Sequence, residues 1–301
     1  MTTQTPTPTP AQPSWAQRWM HPLAIASLVV NILIVVTGGV VRLTASGLGC
    51  PTWPRCTEES FTPHGAMGIH SAIEFGNRMV TFLIAAVAIA TFVAAWRLGR
   101  PAITRLALVL ALGVPAQAVV GGITVLTDLN PWTVSFHLLV SLAMIGLSVT
   151  LLRRLQEGDG PAVPAVPRTV QLLVRGLFVV AWAVFYVGTV VTGSGPHAGD
   201  ASAPRNGLDP RALSQLHTDL VFLLLGLTIA VVLILRALPT APPRARDAAM
   251  ALLVVELAQG VIGFVQYFTD LPVVLVGFHM LGAAIISATV TQALLEVREG
   301  D

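Results

Sequence analysis

Apolar residues fall in eight long runs, at about residues 21–43, 69–96, 102–127, 131–152, 170–193, 211–236, 245–268 and 272–296. Polar, Pro-bearing or Arg-bearing stretches separate them. Each run is long enough to cross a hydrocarbon layer of about 30 Å, which takes roughly 20 helical residues. The pattern predicts eight transmembrane helices and an all-α polytopic membrane protein.

One stretch occurs twice. Residues 116–139 (AQAVVGGITVLTDLNPWTVSFHLL) and 258–281 (AQGVIGFVQYFTDLPVVLVGFHML) align without a gap at an offset of 142, with 11 of 24 positions identical. Each copy reads as the end of one helix, a tight polar turn, and the start of a helix carrying one histidine, His137 or His279. A repeat of this length points to duplication. Helix 1 and helix 5 share a Val-Val-Thr-Gly run (35–38 and 190–193), and a long loop follows each. Four helices per half is an even number, so the halves are parallel repeats: two four-helix bundles about an axis along the membrane normal. The predicted organisation is a disordered cytoplasmic tail (1–20), an N-terminal half (21–154), a Pro-rich cytoplasmic linker (155–169) and a C-terminal half (170–296).

Composition supports the membrane assignment. The 301 residues are 54% hydrophobic and 11% charged, against roughly a quarter charged in soluble domains. All 17 basic residues are Arg, and no basic run indicates nucleic acid. Twelve of the arginines fall on one predicted side and five on the other. The positive-inside bias then puts both termini in the cytoplasm of a multi-pass plasma-membrane protein, with the loops at 44–68 and 194–210 outside.

Of seven histidines, His21, His64 and His197 read as interfacial or solvated. His70, His137, His217 and His279 lie one on each even-numbered helix, near its outer end. The last three sit about six residues in, or ~9 Å deep at 1.5 Å per residue. Ionisable groups at this depth are functional candidates. Two imidazoles per bundle fit bis-histidine haem ligation, giving one haem site per half. The halves differ, however. Helix 2 carries Glu74 one turn below His70, and helix 6 has no counterpart. Glu74 reads either as a base or charge-stabilising group for oxidation of a bound molecule, or as the partner of Arg78 at i,i+4. Asp219 and Glu256 read as structural acids. Cys50 and Cys56 lie in the outer loop, where a disulfide is favoured; it would be either a redox relay or a plain staple.

The run Thr37-Gly-Gly-Val-Val-Arg42-Leu-Thr-Ala-Ser-Gly-Leu-Gly-Cys50-Pro-Thr-Trp-Pro-Arg-Cys56, followed by Ile73-Glu74-Phe75-Gly76-Asn77-Arg78, resembles the haem A synthase family. The resemblance covers about residues 21–296. It implies an oxidoreductase that converts a ring methyl of haem O to a formyl by successive hydroxylations, for cytochrome c oxidase assembly. It further implies haem b on His217 and His279, haem O as substrate near His137, and Glu74 as the catalytic carboxylate. The partners implied are haem O and haem A, a haem O synthase, oxidase assembly factors and membrane lipid, with an oligomer compatible. In the family motif a His stands where this chain has Asn77. His70, two turns up the same face and ~10 Å away, offers a replacement imidazole; otherwise His137 is the one ligand and a position stays open. The competing readings are a dihaem cytochrome b-type electron carrier and a transporter of parallel repeats.

Overall fold

A computed structural model describes residues 13–64, 68–158 and 160–299. Eight helices form: α1 (Trp15–Leu43), α2 (Gly68–Leu98), α3 (Pro101–Leu126), α4 (Pro131–Gln156), α5 (Arg168–Ser194), α6 (Pro210–Ala237), α7 (Pro243–Phe268) and α8 (Val273–Glu296). All eight are long and apolar enough to span a membrane. Two short strands, β1 (Val163–Pro164) and β2 (Arg298–Glu299), pair antiparallel.

Local chemistry sets the boundaries. Prolines 101, 131, 210 and 243 open α3, α4, α6 and α7, where the missing N–H costs nothing and φ is already helical. The expectation of a disordered tail to residue 20 is corrected, because α1 starts at Trp15. Ser14 and Gln17 form a capping box: the Gln17 N–H donates to Ser14 Oγ, and the Ser14 N–H donates to Gln17 Oε1 at 2.7 Å. This satisfies donors that would otherwise be orphaned at the helix start. Residues 1–12 of that tail lie outside the described residues.

The repeated stretch folds the same way twice. Asp128 and Leu129 (φ 52° and 58°) match Asp270 and Leu271 (φ 57° and 56°). In each copy the Leu N–H reaches back five residues, to the carbonyl of Thr124 or Gln266, at 2.8 Å. Asp tolerates the left-handed region better than most residues, which accounts for the Asp at the first of the two left-handed positions in both turns.

Within each half the helices close a ring: α1 packs on α2, α2 on α3, α3 on α4 and α4 on α1, and α5 to α8 repeat the scheme. The halves meet through α1 and α4 against α8, and α4 against α5. Small residues let them approach closely. A Cβ on Gly146 would lie 2.9 Å from Thr291 Oγ1, and the Ser287 hydroxyl donates to the Leu142 carbonyl across the seam at 2.8 Å. Outward faces carry Phe82, Val179, Leu233 and Val261, each more than 60% exposed, as lipid contact requires.

At the termini end, the segment joining the halves is clamped. Arg153 pairs with Glu157 and Glu296, and Arg154 pairs with Glu157. Strand β1 runs beside β2, just after α8. The stretch expected to be a plain linker thus ties the end of α4 to the C-terminus.

Candidate haem-binding cradles

The opposite, loop-bearing end of the bundle holds the expected histidines. In the C-terminal half, His217 on α6 and His279 on α8 come together, with ring centroids 6.4 Å apart and an interplanar angle of 68°. Two imidazoles bound to one metal ion at about 2 Å each have centroids roughly 6 Å apart, so the spacing suits a shared iron. Each ring occupies space left by a glycine on the preceding helix. A Cβ on Gly188 would lie 3.0 Å from His217 Cε1, and one on Gly263 would lie 3.4 Å from His279 Cε1. The Gln259 amide donates to the His279 carbonyl at 2.7 Å, anchoring α8 to α7.

The N-terminal half repeats part of this arrangement. His137 packs over Gly121, whose Cβ would be 3.3 Å from His137 Cε1. The Gln117 amide donates to the His137 carbonyl at 3.1 Å and to Ser141 Oγ at 2.6 Å. The Nδ1 atoms of His137 and His279, which stand at equivalent positions 142 residues apart, are buried without a hydrogen-bond partner, a state uncommon for polar atoms in native folds. Among the described residues, no group of three or more His, Cys, Asp or Glu could hold a bare metal ion.

His70 is elsewhere. It is the third residue of α2 and contacts Ser46 Oγ through Nδ1 at 3.0 Å. It lines a cavity of about 500 Å³ with Ser71, Gly49 and Asp200, formed by the two long loops and the start of α2. Asp200 is held below the usual carboxylate range, chiefly by hydrogen bonds from Ser202.

Cys50 and Cys56 form a disulfide, and both are fully buried. The loop they close is bound to α2 by the pair that the sequence singled out. Glu74 Oε2 accepts from the Cys50 N–H at 2.6 Å, and Oε1 accepts from Arg78. Arg78 in turn donates to the carbonyls of Cys50, Thr52 and Arg55. Trp53, at the loop tip, lies against Gly122, where a Cβ would run into the indole. Gly121, its neighbour on α3, faces His137, so the loop packs on the helix that also walls the N-terminal cradle. Sequence reasoning missed the Trp53–Gly122 contact, which joins distant segments without any periodic signal. It also missed Gln117 and Gln259, although the repeated Ala-Gln pair was the available cue. Thr228 and Glu256 make a further buried polar contact, 2.9 Å long, between α6 and α7.

The family model described as Cytochrome oxidase assembly protein (COX15-CtaA) matches residues 21–291. This chain belongs to that family. A "Heme A synthase" of Geobacillus thermodenitrificans is 32% identical over 141 residues, covering 46% of this chain and 44% of the relative. A "Heme A synthase" of Halalkalibacterium halodurans is 30% identical over 166 residues, covering 53% and 55%. This chain thus covers about half the length of the curated relatives it matches. In this member of the family the paired imidazoles lie in one half, and the disulfide loop with its carboxylate packs on α2 and α3 of the other.

The glycine gaps carry a direct test. Gly188→Val is expected to displace the His217 ring and weaken haem retention by about tenfold, the scale of losing a residue that orients a metal ligand. Gly176→Val on the same helix, where nothing lies within 4 Å, should leave it unchanged. Haem content per chain after purification measures both.

Proposed function

We propose that the chain is a haem A synthase, a membrane oxidoreductase that converts a ring methyl of haem O to a formyl by successive hydroxylations. The observation that carries this reading is the asymmetry between duplicated halves. One half presents two imidazoles at the spacing of a shared iron. The other presents a single imidazole beneath a disulfide-closed roof, pinned by a carboxylate–guanidinium pair. A resident haem b on His217 and His279 would supply one-electron redox chemistry. The haem O substrate would occupy the N-terminal cradle against His137.

The chain's own residues have definite tasks in this scheme. Gly121, Gly188 and Gly263 admit the imidazoles to the cradle walls. Gln117 and Gln259 hold the backbone at His137 and His279, and so fix where each ring points. Trp53 and the disulfide loop exclude water from the N-terminal cradle. Glu74 keeps the roof seated and places a negative charge beside the cradle, where it can stabilise positive charge developing on the substrate. The arginine distribution supports an orientation in the cell membrane with both termini cytoplasmic and the roof outside.

Deletion of this chain is expected to remove haem A from the membranes while haem O accumulates, read by chromatography of extracted haems. Unchanged haem A in a clean deletion rejects the assignment in favour of a dihaem electron carrier. Partners that deliver haem O or receive haem A follow from the same reading.

A further inference from the structure

The termini end of the bundle holds a second polar cavity, far from the haem cradles. It lies between the first two turns of α5 and the end of α8, has a volume of about 220 Å³, and is lined by Gln171, Arg175, Leu294, Leu295, Val297 and Arg298. Its walls are fixed by backbone contacts. The Ala165 N–H donates to the Val297 carbonyl at 3.1 Å. Arg153 donates to the Arg298 carbonyl at 3.3 Å, and Gln171 Nε2 donates to the Val166 carbonyl at 2.9 Å. The cavity thus belongs to the same clamp that ties the end of α4 to the C-terminus.

Neither arginine of the cavity has a carboxylate partner. Among the described residues, the ion pairs at this end join Arg153 and Arg154 to Glu157 and Glu296, and leave out Arg175 and Arg298. Arg298 Nε is buried without a hydrogen-bond partner. Arg175 is exposed, with Leu172, Leu173, Val174 and Leu177 around it in the chain. Its depth follows from helix length. The 27 residues of α5 make about 40 Å at 1.5 Å per residue, which exceeds a hydrocarbon layer of about 30 Å by about 10 Å. With that excess shared between the two ends, Arg175, seven residues after Arg168, stands about 5 Å inside the hydrocarbon edge. A guanidinium there turns back toward the headgroups, and an anion is the partner that offsets its desolvation.

Water would serve a single arginine at this depth. Two guanidinium groups on one cavity, beside Leu294, Leu295 and Val297, suit a ligand that joins an anion to apolar chains. We infer that the cavity binds the phosphodiester headgroup of an anionic phospholipid, with Arg175 and Arg298 on the phosphate. Basic pockets between membrane helices recognise such headgroups by charge. Leu172, Arg175 and Val179 share one helix face at i, i+3 and i+7, and the two apolar residues are exposed. An acyl chain therefore has an apolar track along α5, running inward from the phosphate.

The test uses the full-length protein, purified in detergent, stripped of lipid, offered phosphatidylglycerol or phosphatidylcholine, and read by native mass spectrometry. One phosphatidylglycerol per chain is expected to bind at least about tenfold more tightly than phosphatidylcholine, the scale of two arginines at a membrane surface. Arg175→Gln/Arg298→Gln should erase that preference. Arg175→Gln alone, at an exposed position, should lower it several-fold. Arg236→Gln makes the same charge change in the last turn of α6 and should leave the preference as it is. Equal binding of the two lipids by the wild type overturns the inference. So does a preference that survives either Arg175 variant, or one that Arg236→Gln also removes. Inorganic phosphate that displaces phosphatidylglycerol at matching concentration would assign the site to free phosphate and overturn the lipid.

Discussion

His217→Ala and His279→Ala are each expected to lose the low-spin haem of the C-terminal half, with at least about a 100-fold loss of haem affinity. Truncating a residue that merely orients a ligand costs roughly 10- to 100-fold, and removing the ligand itself should cost more. The geometry explains why neither ring can substitute for the other. They come from different helices, stand 6.4 Å apart, and fill separate glycine gaps at Gly188 and Gly263. Gln259→Ala should be milder, because it removes only the hydrogen bond to the His279 carbonyl. Reduced-minus-oxidised spectra of the purified variants, normalised to protein, make the comparison. A full-strength low-spin signal in both histidine variants would show that the pair is not the ligand set.

Glu74→Gln should behave in the opposite way, keeping the C-terminal haem spectrum while turnover of haem O falls by about 100-fold or more, the scale of losing one charge-stabilising or proton-transferring group. The amide is close in size and can still accept the Cys50 N–H. It removes the negative charge that Arg78 pairs with, in a position where Glu74 is only 4% exposed. An unpaired guanidinium in that setting is costly, and Arg78 holds three carbonyls of the disulfide loop. The roof over His137 is therefore expected to loosen as well. Normal haem A formation by Glu74→Gln would make the carboxylate purely structural. The i,i+4 pairing with Arg78 and the reading of Glu74 as a functional acid, posed as alternatives from the sequence, are compatible in the fold. The same carboxylate makes the pair and reaches the loop.

Much of the architecture was legible in the residues themselves. Run length and apolar content are local properties, so the eight helices fell within a few residues of expectation. The main departure was at α1, where the capping box at Ser14 and Gln17 moved the start outward. The Thr-Asp-Leu turns followed from a gapless repeat, whereas the seating of His137 on Gly121 and His279 on Gly263 is shown by the structure. His217 and His279, expected to share a site from their common depth and from the family resemblance, come together with ring centroids 6.4 Å apart.

The second position of the N-terminal cradle was not legible in this way. His70 and Asn77 lie at offsets of 147 and 140 from His217, and the loops before α2 and α6 differ in length, so the register between those helices is lost in the sequence. The fold leaves His70 among the loops, against Ser46, and sets Asn77 against Thr37 of α1. The seat of Trp53 on Gly122 and the grip of Glu74 on Cys50 are of the same kind. They join segments far apart in the chain through single contacts, with no period for a sequence to display. The sequence by itself determined the helices and their duplication; the packing of loops onto helices decided where His70, Glu74 and the disulfide loop sit around the N-terminal half.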